Sequence, residues 1–266
     1  MAFEVLTYGD PAADTLLIQM VDDHDLEVIE KETAHIKELT GGQNFCLKAV
    51  RVNSWNTDLS PWPAPAVFGD EDFGEGASRT LEILLREIIP EILSENDEEK
   101  SEEKTEGKTE EKTEEKTEER SGDSIFEESV SKKDSGVCGG RPFPGKKIYL
   151  GGYSLAGLFA LWAGYQTDFF EGIAAASPSI WFPGFTDYMR ANTLQAGAVY
   201  LSLGDREERT KNPFMSQVGN AIRDGYAVLR NAGINCTLEW NKGNHFKNPD
   251  LRTAKAFAWL MTQTGE

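Results

Sequence analysis

The run Gly152-Tyr153-Ser154-Leu155-Ala156 sets a serine between two small residues, each two positions away. A serine hydroxyl becomes a nucleophile only where a base takes its proton and a third group holds that base in the right tautomer. The apolar stretch "KKIYLGGY" before Ser154 reads as a strand, and "LAGLFALWAGY" after it reads as a helix. This is the strand-to-helix context of a nucleophile elbow, in which a tight bend presses the residues two before and two after the serine together. Gly152 and Ala156 are small enough for that bend; the plainer alternative is a serine capping a helix. The chain has three histidines. His24 and His35 precede Ser154 and border the first expected helix, where flanking carboxylates mark His24 as a solvated loop residue. His245 lies in "KGNHFKN", between the last expected strand and the last helix, and is the candidate base. Between Ser154 and His245, "AVYLSLGDREERTKNP" offers Asp205, Glu207 and Glu208 at the end of a strand. Spacing leaves all three open, with Glu207, three residues past Gly204, preferred.

The elements that must carry these residues alternate along the chain. "TLLIQMV", "FCLKAVRV", "KKIYLGGY", "EGIAAASP", "AVYLSLG" and "NCTLEWN" are mostly continuous apolar runs, as in strands of a parallel sheet buried on both faces. Helical spacing fills the gaps: Leu26, Ile29, Ile36 and Leu39; Leu81, Leu84, Leu85, Ile88 and Ile92; Leu251, Ala254, Phe257 and Met261. The pattern predicts an α/β doubly wound sheet with helices on both faces, and a ligand crevice at the carboxyl ends of its strands. Ser154, the acid loop and the His245 loop all fall on that edge.

One segment breaks the pattern. "EEKSEEKTEGKTEEKTEEKTEERS" is six copies of a four-residue unit, so identical charges stand four apart and repel along any helix. It offers no apolar face, and residues 94–135 are expected to be a disordered acidic insertion in a single domain made of 1–93 and 136–266. It joins a helix to a strand and so leaves the edge opposite the crevice, roughly 17–20 Å away. The formal charge of the chain is −18, half of it carried by this segment, which disfavours nucleic acid and anionic membrane as partners. No apolar run approaches the roughly 20 residues of a membrane span, and residues 1–9 lack the marks of a signal peptide, so a cytoplasmic location is expected. Cys46, Cys138 and Cys236 are too scattered for a disulfide framework or a zinc site. Neither metal nor cofactor is expected, and oligomeric state is not legible.

"NSWNTDLSPWPAPAVFGDEDFGEGA" is a long aperiodic loop on the crevice edge. Its Trp55, Trp62, Phe68 and Phe73, with Trp181 and Phe182 from a later loop, either wall an aromatic pocket or pack the loop onto the domain.

Outside residues 94–135 the chain resembles the esterase family of the α/β-hydrolase fold that includes enterochelin and other siderophore esterases, S-formylglutathione hydrolase, feruloyl esterases and the antigen 85 mycolyltransferases. "GYSLAGLFALWA" is similar to its elbow and helix, "GIAAASPSIWF" to its next strand, "SLGDREE" to its acid loop and "GNHF" to its histidine loop; "WNTDLSPWP" is similar to a segment with Asp, Ser or Thr before Pro. Ala156 replaces the usual Gly. Trp55 stands where many members have Arg, which weighs against an anionic siderophore substrate. The resemblance and the residues together imply a serine esterase acting on a small-molecule ester through an acyl-enzyme. Ser154, His245 and Glu207 would form the triad, the backbone N–H groups of Leu155 and of Val21 or Asp22 the oxyanion hole, and Trp55, Trp62 and Trp181 part of the substrate pocket. An acyltransferase or peptidase would use the same triad. A non-catalytic scaffold whose acidic insertion recruits a basic partner is the alternative of a different class.

Overall fold

The computed structural model describes residues 3–67, 69–94 and 145–263. The expected acidic insertion, apart from Ser94, lies outside the described residues, as do Phe68 and Cys138. Among the described residues seven strands form one sheet: β1 (Glu4–Gly9), β2 (Thr15–Val21), β3 (Cys46–Arg51), β4 (Lys147–Tyr153), β5 (Gly172–Ala176), β6 (Ala198–Gly204) and β7 (Asn235–Asn241). Their order is β1-β3-β2-β4-β5-β6-β7, and every pairing is parallel except that of β1 with β3. This is the expected α/β sheet. The apolar runs of β2, β4, β5 and β6 are almost wholly buried because helices cover both faces. β1 was not foreseen. It is an edge strand, half-exposed along its length, and so has no continuous apolar run to announce it.

On one face α1 (Asp23–Leu39) and α7 (Pro249–Thr262) bury Ile29, Ile36, Ala254, Phe257 and Leu260 against Leu17, Leu47 and Tyr200. The other face carries α3 (Ala77–Ile83), α4 (Leu155–Gln166), α5 (Phe185–Ala191) and α6 (Val218–Asn231), with a one-turn helix, α2 (Trp55–Asp58), in the long loop. α4 is apolar on every side, and each residue from Leu155 to Tyr165 is buried. That places it in the middle of the larger core and fixes the direction in which the preceding serine is held. The expected helix over 78–93 is helical, with a local change: Leu84–Ile88 form a π-turn in which the Ile89 N–H donates to the Leu84 carbonyl. Pro90 explains it, since its ring clashes with a carbonyl one α-turn back and the wider turn relieves that clash.

Candidate active site

Four strand ends meet at one edge of the sheet. Ser154, between β4 and α4, has φ 57 and ψ −116, a conformation that costs an L-residue energy and persists only where neighbours enforce it. They do so with hydrogen bonds. The Ser154 N–H donates to the Ala176 carbonyl at 3.0 Å, and the Ser154 carbonyl accepts from Leu158 N–H at 3.1 Å and Ser179 N–H at 3.0 Å. The bend is so tight that a Cβ on Gly152 would stand 2.5 Å from the Ala156 Cβ. Glycine is therefore required at 152 once 156 bears a methyl group.

His245 reaches Ser154 from the loop after β7. Its Nε2 lies 3.0 Å from Ser154 Oγ, and its Nδ1 lies 2.7 Å from Glu207 Oε2. An ionised carboxylate can only accept, so Nδ1 carries the proton and Nε2 is left as the acceptor for the serine hydroxyl. Of the three acids that spacing left open, Glu207 makes this contact. Asp205 instead accepts from Gly243 N–H at 2.8 Å, which lowers its pKa, and Glu208 faces Arg223 at 3.3 Å on the surface. Glu207 is buried, and burial pushes its pKa up. The hydrogen bond and charge of His245, the Gly204 N–H at 2.7 Å and the charge of Arg252 outweigh that and hold it below the usual value.

The other oxygen of Glu207 is saturated. Oε1 accepts from Gly204 N–H, from Ser177 Oγ at 3.0 Å and from Arg252 Nη1 at 2.7 Å. Ser177 and Arg252 were missed in the sequence. The signal for Ser177 was the Ser-Pro-Ser ending of β5. Arg252 gave none, because helical periodicity put Leu251 on the buried stripe, whereas Leu251 is half-buried and Arg252 is 1% exposed.

The Leu155 N–H opens α4, where the first N–H groups of a helix have no partner within it. Val21 does not match its expected part as the second oxyanion donor. Its carbonyl accepts from Val52 N–H at 3.2 Å and it lies opposite Arg51 in the ladder, so its backbone groups are turned toward β3. The Asp22 N–H donates to Asp25 Oδ2 at 3.2 Å in the capping box that starts α1. Burial, with the charge of Asp22 second, pushes that Asp25 carboxyl up to about 7.

A cavity of about 450 Å³ opens over Ser154, lined also by Trp181, Arg206, Arg209, Thr210, Met215, Asn244, His245 and Phe246. Of the three tryptophans expected to touch substrate, Trp181 is on this wall and Trp55 and Trp62 are not. Trp62 donates its indole N–H to the Pro183 carbonyl at 2.8 Å and packs its ring on Phe182, Phe185 and Tyr188. Trp55 is half-buried against the larger core. These two hold the long loop to the domain. Arg206 and Arg209 give the cavity two cations in a chain of strongly negative charge, at positions that periodicity could not distinguish from surface. Among the described residues no group of three or more His, Cys, Asp or Glu could hold a metal ion, and no helix is long and apolar enough to cross a membrane.

No protein-family model and no curated protein matches the sequence. Solved structures do match. An IroE-like serine hydrolase from Shewanella oneidensis gives a TM-score of 0.62 at 12% identity, over 97% of this chain and 75% of that one. The siderophore hydrolase EstA from Aspergillus nidulans gives 0.57 at 16% identity, over 95% and 84%. The enterobactin esterase FES from Shigella flexneri gives 0.56 at 11% identity, over 98% of this chain but 59% of that one. At such identities the likeness speaks for architecture: the chain has the α/β-hydrolase fold found in these hydrolases and esterases.

Proposed function

We propose that the protein is a serine hydrolase that cleaves carboxylic esters, with Ser154 as nucleophile, His245 as base and Glu207 as the acid that orients it. The observation that carries this reading is the unbroken relay from Ser154 Oγ through His245 to Glu207, at 3.0 and 2.7 Å, built from three loops that meet only in the fold. Ser154 Oγ attacks the ester carbonyl while His245 Nε2 takes its proton. The imidazolium returns that proton to the departing alcohol, and water, activated the same way, releases the acid from the acyl-enzyme. Glu207 stabilises the imidazolium in both halves. The Leu155 N–H is the candidate donor to the tetrahedral oxygen, and one such donor is worth roughly 10²–10³ in rate.

The solved structures that share the fold include proteins described as siderophore and enterobactin hydrolases and a ferulic acid esterase, which supports ester hydrolysis over other uses of a triad. Arg206 and Arg209 in the cavity favour an ester bearing an anionic group, with Trp181 beside it as an apolar wall. Trp55 is half-buried against the larger core and does not line the cavity, so the missing Arg at that position says little about substrate charge.

Ser154→Ala is the direct test. The variant should fold, lose labelling by a fluorophosphonate and lose hydrolysis of p-nitrophenyl acetate. Turnover equal to that of the parent protein would end this assignment.

A further inference from the structure

The side chain of Arg252 is 2% exposed and ties together four segments. Nη1 donates to Glu207 Oε1 at 2.7 Å, to Tyr153 Oη at 3.0 Å and to Ser177 Oγ at 3.1 Å; Nη2 donates to the Asn244 carbonyl at 2.8 Å. Tyr153 Oη in turn donates to the His245 carbonyl at 2.6 Å. One planar guanidinium therefore touches the strand end before the nucleophile, the loop after β5, the acid loop and the histidine loop. A buried cation without partners is very costly, and a rigid fork of donors accepts few arrangements of its acceptors. The loops are held in one register by a group that meets neither substrate nor serine.

Among the described residues Arg252 is the cation that is both buried and bonded to Glu207.

We propose that Arg252 is a positioning residue of the catalytic relay: it locks the Glu207 and His245 loops onto the Ser154 elbow. The inference rests on the assignment of Ser154, Glu207 and His245 made above. It is tested on the full chain with Arg252→Met and Arg252→Lys, following p-nitrophenyl acetate hydrolysis and fluorophosphonate labelling at a temperature where each variant is folded, with thermal unfolding alongside. Lost alignment lowers kcat of Arg252→Met by roughly 10- to 100-fold, with KM within about threefold of the parent. Arg252→Lys keeps the charge but not the fork, so its kcat falls as well and both variants are labelled more slowly.

A folded Arg252→Met protein that melts earlier but keeps the parent kcat overturns the proposal, as does an Arg252→Lys protein with the parent kcat. The lysine variant decides the matter alone if the methionine variant does not fold. Ser154→Ala separates the two levels of inference. If that variant is inactive and the Arg252 variants keep the parent kcat, the positioning role falls and the nucleophile stands; if it remains active, the catalytic assignment itself falls.

Discussion

Glu207→Gln replaces one carboxylate oxygen by an NH2 group and reverses the hydrogen-bond polarity of the relay. The Oε1 position receives three donors, Gly204 N–H, Ser177 Oγ and Arg252 Nη1, so the glutamine carbonyl must take that place. The amide NH2 is then forced to the Oε2 position, 2.7 Å from His245 Nδ1. Two N–H groups cannot face each other there, and the imidazole must move its proton to Nε2, where it meets the Ser154 hydroxyl as a donor instead of an acceptor. The variant also loses the carboxylate that stabilises the imidazolium formed during the reaction. A charge pair at about 4 Å in surroundings of effective dielectric about 20 is worth about 4 kcal/mol, which corresponds to about 10³-fold in rate. Adding the cost of the wrong tautomer, kcat for p-nitrophenyl acetate should fall by about 10³–10⁴, with KM changed by less than about threefold. Steady-state kinetics with far-UV circular dichroism as the folding control measure this. A folded Glu207→Gln protein within tenfold of the parent kcat would refute both the tautomer argument and the role of Glu207.

Gly152→Ala puts a methyl group 2.5 Å from the Ala156 Cβ, too close for any rotamer to relieve, so the elbow must open. The expected result is a loss of about 1–3 kcal/mol by chemical denaturation and slower fluorophosphonate labelling, with Gly152→Ala/Ala156→Gly recovering much of both. Arg206→Ala/Arg209→Ala should raise KM for an ester carrying a carboxylate on its acyl group by about tenfold and leave a neutral ester within about twofold; equal effects on both substrates would remove the two arginines from recognition.

The parts of the site that could be read from sequence are those where backbone geometry restricts residue type. An elbow admits only small neighbours at 152 and 156, and strands buried on both faces are mostly apolar, so β2 to β6 and the bend at Ser154 were legible. Proximity in the fold leaves no such trace. Nothing in the spacing of Asp205, Glu207 and Glu208 records that the middle carboxylate turns inward while its neighbours bind Gly243 and Arg223. Arg252 left no signal because its acceptors come from segments up to about a hundred residues away in the chain. The second oxyanion donor stayed open between Val21 and Asp22 because a strand's last residue can face its neighbouring strand or the crevice, and spacing does not record which.

The three hydrogen bonds between the main chain of Ser154 and Ala176, Leu158 and Ser179 leave only its side-chain bonds, Cα–Cβ and Cβ–Oγ, as axles. In the proposed reaction a group esterified to Oγ turns on those two bonds, between the side of His245 and the side of Ser179 Oγ, 3.5 Å from the nucleophile. The scaffold has no slack with which to follow a bulky or bent cargo. Acids of different shape should therefore be shed at rates set by their own outlines, and preference among them should show in the second, water-consuming half of the cycle as well as in the first.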